Sequence, residues 1–224
     1  EIYPGWTLRV YCSSEVPVVS QLRSLGADVR IMPASPDHSG LFWRFLPAGD
    51  AAVDHVIVRD ADSRLNVRER AAVDAWIASG QPFHVMRDHG HHRRAPMLGG
   101  MWGCRGGALP DIGHRIARFE RSAAKHDDTR FLREEIWPLI RDRAVVHSSV
   151  PDPLGGDPFP PHPPFQGFVG EVVPPRADSR DVVPLLLPSR GRPRPGPARS
   201  ARSARAARPR AAGRHRVAPR AEPA

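Results

Sequence analysis

The chain predicts an α/β domain, an open, mostly parallel, Rossmann-like sheet flanked by helices, and three observations carry that prediction. Short apolar, β-branched runs alternate with stretches of helical periodicity from Leu8 to His147. Two of the runs end directly in charged residues: Val56-Ile57-Val58 leads into Arg59-Asp60-Ala61-Asp62, and Phe83-His84-Val85-Met86 into Arg87-Asp88-His89. Composition changes abruptly near Pro174, which confines the fold to residues 1–173, enough for one domain with a sizeable core.

Taken in order, Leu8 to Cys12 reads as a strand. Val18, Val19, Leu22 and Leu25 then mark one face of a helix that stops at Gly26. Val29 to Met32 is a second strand, followed by a loop holding Pro33 and Pro36 and a helix through Phe42 to Leu46. Val56 to Val58 is the strand that delivers the aspartates. Asn66, with Glu69 three residues on, has the form of a capping box for a helix through Val73, Trp76 and Ile77 to Gly80, with Pro82 as a stop. Phe83 to Met86 is the next strand. Ile112, Ile116, Phe119 and Ala123 keep helical spacing, as do Phe131, Leu132, Ile136, Leu139 and Ile140, where Pro138 should end or kink the helix. Val145-Val146 leads to His147.

Charge has to be divided along the chain before it is interpreted. The formal net charge is +9, but from Arg176 onward thirteen arginines face three carboxylates, so this stretch carries +10 and the residues before it −1. The folded part therefore lacks a nucleic-acid footprint. Residues 174–224, rich in Arg, Ala and Pro, cannot bury enough apolar surface to offset their ordering entropy and read as a disordered tail. Such a tail is either passive, even an out-of-frame segment, or a basic arm for RNA, DNA or an anionic membrane; binding of nucleic acid is expected, if at all, only through it. Cys12 and Cys104 make no disulfide framework, no run reaches transmembrane length, and no signal peptide opens the chain, so a cytoplasmic setting is the simpler expectation.

Asp60 and Asp62 are the sharpest chemical signal. Two carboxylates at i and i+2 on the lip of a strand can jointly hold a hard cation, Mn²⁺ or Mg²⁺, whose open positions take diphosphate oxygens; the plain alternative is a turn with two solvated aspartates. In open α/β sheets ligands bind beyond the carboxyl ends of strands, and Asp60, Asp62, Asp88 and His147 each follow or end a predicted strand, so they can share one edge. Gly99-Gly100-Met101-Trp102-Gly103 offers a loop where backbone approaches a ligand closely and Trp102 stacks on a sugar ring, or else a tight turn with Trp102 in the core. Ser63 adds a hydroxyl to a diphosphate site or caps the next helix. Arg59 and Arg64 flank the motif, either able to balance the acidic cluster. A zinc site from His84, His89, His91 and His92 would need a distant partner.

Trp43-Arg44-Phe45-Leu46, Val58-Arg59-Asp60-Ala61-Asp62-Ser63-Arg64-Leu65, Met86-Arg87-Asp88-His89 and Gly99-Gly100-Met101-Trp102-Gly103, in this order, resemble the GT-A type nucleotide-sugar glycosyltransferases. More closely, Trp6 to about Glu171 looks like a group of bacterial glycosyltransferase-like proteins. The resemblance implies a GT-A-like fold and a metal-dependent enzyme that moves a sugar from a nucleotide-diphosphate donor to a hydroxyl of a glycan, lipid or protein. It implies metal ligands at Asp60, Asp62 and, as a third, His147. It places Arg44 on phosphate or donor sugar, Gly100 and Trp102 near donor and acceptor, and Asp128 and Asp88 facing the acceptor or the sugar hydroxyls. It also implies that the first β-α unit, which carries base and ribose, precedes Tyr3 and is missing from this chain. The alternatives are a catalytically inactive sugar- or nucleotide-binding fragment and nucleic-acid binding through the basic tail.

Overall fold

A computed structural model describes residues 2–13, 17–33, 39–122, 124–149 and 154–173. The tail expected from residue 174, the loop around Pro36 and Ala123 lie outside the described residues. One unit spans Glu1–Ser179.

Strands β1 (Arg9–Cys12) and β2 (Asp28–Ile31) form a parallel pair joined by helix α1 (Pro17–Ser24). Of the apolar face expected on α1 only Val19 is buried; Val18 and Leu25 are exposed. Helix α2 (Gly40–Trp43) and a 3-10 turn (Leu46–Gly49) replace the single helix expected there. Strand β3 (His55–Val58) then runs out to Asp60, and helix α3 (Val67–Ser79) comes next. The Asn66 side chain accepts from the Glu69 amide, and Gly80 closes α3 in the left-handed conformation (φ 69°), as its sequence requires. Glu69, Ala72, Val73 and Trp76 are its buried stripe.

Beyond α3 come β4 (Phe83–Arg87), a 3-10 turn (Gly90–Arg94) and β5 (Trp102–Arg105). Helices α4 (Ile112–Arg118) and α5 (Asp127–Phe131), a π turn (Leu132–Ile136), α6 (Trp137–Ile140) and a 3-10 turn (Arg141–Arg143) lead to β6 (Ala144–Ser148). Pro138, at the start of α6, cannot donate to the turn before it, and the helix relaxes to π spacing there instead of ending.

The second sheet has the order β3-β5-β4-β6, and here the expected parallel pattern is corrected. Strand β5, which the glycine-rich sequence hides as a loop, lies antiparallel to both β3 and β4; only β4 and β6 form a parallel ladder. The sheet is mixed, within a mixed α/β architecture. Gly103 is the reason β5 escapes a reading by propensity: a Cβ there would lie 2.7 Å from the Val56 carbonyl oxygen and 3.3 Å from the Trp76 ring. Two antiparallel steps restore direction, so β3, β4 and β6 all end at the same side of the sheet. Asp60 and Asp88 thus emerge from one edge, as the strand pattern anticipated.

On one face of this sheet Phe42, Phe45, Met97, Trp102, Phe131, Leu132 and Ile136 form the main core; Phe45 and Phe131 stack with centroids 6.2 Å apart. Trp76 and Val73 pack with Tyr3 in a second cluster. A third, of Ala72, Met86, Met101 and Val169, fastens residues 154–173 to the end of β4. That segment pairs with β6 through two backbone bonds of Asp157 (2.8 Å each) and reaches the aspartate loop, where the Val173 amide donates to the Asp62 carbonyl (2.9 Å). Among the described residues no helix is long and apolar enough to cross a membrane.

Candidate active site

Three residues from distant parts of the chain meet where β3 ends. Arg44, one residue past α2, has its Nε on the Leu41 carbonyl (3.1 Å), which fixes the direction of the guanidinium. One terminal nitrogen donates to Asp60 and the other to Asp128 Oδ2 (2.6 Å). The Asp128 side chain is only 8% exposed while that of Asp60 is 48% exposed, so one guanidinium links a buried carboxylate to an open one. The neighbouring Asp127 does not face this cluster. Its oxygens accept from the Ser122 amide and hydroxyl (2.7 Å each) and from Arg130. Burial opposes its ionisation, yet these bonds hold its carboxyl below the usual range.

Gly99 and Gly100 are packed directly on this constellation. A Cβ on Gly99 would collide with the Arg44 guanidinium and come within 2.6 Å of Asp128 Oδ2; one on Gly100 would collide with the Asp60 carboxylate and lie 2.9 Å from the Asp60 amide nitrogen. The glycine loop, expected to approach a ligand, is packed here against the chain's own Arg44, Asp60 and Asp128. Gly100→Ala is expected to push the Asp60 turn outward and to cost about 1–3 kcal/mol, as overpacking does; a urea midpoint equal to wild type would refute the contact.

Around the turn, Ser63 Oγ donates to the Asp60 carbonyl (3.0 Å) and Ser63 pairs with Val172, so the hydroxyl is spent on the loop itself. Asp62 and Arg64 are exposed on the same turn. Four expected site residues lie elsewhere. Arg59 turns inward to Glu69 (2.7 Å) and the Val58 and Trp102 carbonyls; Tyr3 donates to the same Glu69 (3.0 Å). Trp102 is fully buried against Phe45 and cannot stack on a sugar. Asp88 is held bidentately by Arg68 (2.8 and 2.9 Å) and by the Val169 amide (2.9 Å), so its acceptor capacity serves the fold.

His147 is the fourth. It sits on β6, at the sheet edge opposite β3, with Nδ1 2.9 Å from His84 Nε2, and so does not join Asp60 and Asp62. The zinc alternative gains no support either. His92 Nδ1 accepts from the Asp88 amide (3.0 Å) and His89 Nδ1 from the His91 amide (3.3 Å), and no three His, Cys, Asp or Glu side chains among the described residues are grouped to hold a metal.

Sequence reasoning missed Arg68, His162 and Val169. Arg68 Nη1 meets His162 Nε2 at 2.6 Å, and its guanidinium lies 4.2 Å from the Phe159 ring centroid. A Pro-rich run gives no local sign of such anchoring. Searches against protein-family models, curated proteins and solved structures found no match for this chain.

Proposed function

We propose that this chain is a GT-A-like sugar-transferring domain, acting on a nucleotide-diphosphate donor and a hydroxyl acceptor at the Arg44, Asp60, Asp128 constellation. The observation that carries the reading is the convergence of those three residues, under Gly99 and Gly100, beyond the end of β3. Arg44, Asp60, Gly100 and Asp128 are four of the site residues that the motif and the resemblance single out, and they lie together here.

A hard divalent cation fits this donor set. Asp60 and Asp62 offer two carboxylates on one exposed turn, the oxygen ligands Mg²⁺ or Mn²⁺ prefer, with water left to complete the shell. Such an ion would be held by Asp60 and Asp62 and would supply Lewis-acid stabilisation of the departing diphosphate. Arg44, drawn off Asp60, offers its fork to a phosphate oxygen. Asp128, buried and oriented by the Thr129 amide (2.8 Å), accepts the proton of the acceptor hydroxyl. The acceptor oxygen bonds to the anomeric carbon as the bond from that carbon to the diphosphate breaks, and the electron pair leaves with the diphosphate.

Binding without transfer is the second reading. It is favoured by the loss of Asp88 to an ion pair and of Trp102 to the core, which leaves the acceptor side with Asp128 alone.

Calorimetric titration of Mn²⁺ with a panel of nucleoside diphosphates tests the proposal. Wild type is expected to bind nucleotide only with metal, Asp60→Asn to lose that binding, and Asp128→Asn to keep it while losing transfer by about 10²–10⁴-fold. A folded wild-type chain that binds neither metal nor nucleotide would sink both readings.

A further inference from the structure

We infer that the proline ridge at residues 157–164 is a docking surface for a protein domain of SH3 type, whose aromatic-lined groove takes X-Pro pairs. Every residue from Asp157 to Pro164 is either a proline or precedes one. Proline fixes its own φ at about −65°, and the residue before it is driven to extended or polyproline II geometry, so local sterics order the whole run.

The fold claims one face of this run and leaves another outside. Polyproline II repeats every third residue. Phe159, His162 and Phe165 keep that spacing and are half-buried, whereas Pro158, Pro161 and Pro164 are exposed. The Arg68 guanidinium lies 4.2 Å from the centroid of the Phe159 ring, which also packs on His147. His162 accepts from Arg68 at Nε2 (2.6 Å) and donates from Nδ1 to the Pro163 carbonyl (2.7 Å). These inward contacts hold the outward prolines in place.

Both ends are tied before any partner arrives. Asp157 makes its two backbone bonds to Val146 and Ser148 of β6, and beyond the run the Val169 amide donates to Asp88 while Phe168 stacks on His89 at 4.4 Å. A segment held in advance removes the ordering cost that binding would otherwise incur. The chain bends at Pro163, so the part before the bend carries the pairs Asp157-Pro158 and Pro160-Pro161, the P-x-x-P footprint of SH3 ligands. Pro158 and Pro161, the rings that would enter the groove, are both exposed, and Phe159 between them is turned to the fold. Polyproline II makes no internal hydrogen bonds, so its carbonyls are offered to donors on the groove. With Phe159 and His162 taken by the fold, the partner reads the prolines. No residue of this ridge belongs to the Arg44, Asp60, Asp128 site, so the inference does not rest on the transfer reading.

Titration of the full chain into a panel of ¹⁵N-labelled SH3 domains tests the surface, with a synthetic peptide of residues 155–166 as reference. Domains that bind the peptide are expected to bind the chain too, with resonance shifts at the aromatic residues of the groove. Pro158→Ala and Pro161→Ala should each weaken binding of the chain by about tenfold or more, the loss of one ring from its pocket. Pro164→Ala, beyond the bend, should bind as wild type. Domains that take the peptide and ignore the chain would show the ridge closed to a partner and overturn the inference. A panel that binds neither, or a matching loss in Pro164→Ala, would overturn it as well. So would equal affinity in Pro158→Ala and Pro161→Ala, the result that capture by the proline- and arginine-rich tail would give.

Discussion

Asp88→Asn should lower the unfolding free energy by about 3–5 kcal/mol, the cost of breaking one side of a buried ion pair. The Asp88 side chain is 3% exposed and takes two bonds from Arg68 and one from the Val169 amide. An amide in its place cannot accept all three, and it leaves the Arg68 charge with His162 and the Phe159 ring as neighbours. At roughly 2–4 °C per kcal/mol for a domain of this size, the melting temperature falls by about 10 °C. Cleavage within residues 158–168 by added protease should accelerate too, because Val169 loses its anchor. A catalytic role for Asp88 predicts the opposite pattern, lost turnover with unchanged stability, and that result would reject the structural assignment. The double variant Asp88→Leu, Arg68→Met should recover part of the loss, since no charge is then left unpaired.

Legibility in the sequence divides by the range of the interaction. The ends of α3 were legible because capping is local: Asn66 meets Glu69 three residues away, and Gly80 supplies the left-handed turn. The aspartates at the end of β3 were legible for the same reason, since a strand sets the exit direction of the residues just beyond it. The meeting of Arg44 with Asp60 and Asp128 spans 16 and 84 residues, and only the motif strings hinted at it. Asp88 and Trp102 misled because a polar residue after a strand and an aromatic in a glycine loop look alike whether they face a ligand or the core. Their actual partners, Arg68 and Phe45, are fixed by packing. Strand β5 was invisible because Gly103 removes the side chain that would have signalled it, and it does so to admit Trp76. His147 ends a strand as expected, but the inserted β5 helps place that strand at the far edge, beside His84 rather than Asp60.

The histidines make a second large effect expected, a loss of stability between pH 6.5 and pH 5. His84 is fully buried, stacked on Trp76 at 5.3 Å and 13°, and faces His147, which packs on Phe159. Burial, the neighbouring His147 and the Arg59 charge hold the His84 imidazole well below its usual range. Burial likewise lowers His147, against a small opposing pull from Asp157, and lowers His55 on the edge of Trp76. His92 is lowered to about 4, chiefly by burial, then by His89. All four therefore take up protons at a lower pH when folded than when unfolded, so below about 6.5 the unfolded state binds more protons and stability rises with pH. Stability is complete above that value and declines as the pH falls toward each depressed folded pKa. At pH 5 a histidine that stays neutral contributes up to about 2 kcal/mol of loss, and several together reach the scale of a whole domain's stability. The shifted carboxylates Asp28, Asp50, Asp111, Asp127 and Glu134 all lie below their normal values, so their contribution is retained across this window and disappears only in stronger acid. Urea midpoints at pH 8, 6.5 and 5 should therefore fall steeply over the last interval. His84→Phe, which keeps a flat ring against Trp76 without a titrating nitrogen, should show a shallower fall. Midpoints that stay level from pH 8 to pH 5, or an unchanged slope in His84→Phe, would show that the buried pair does not set acid stability.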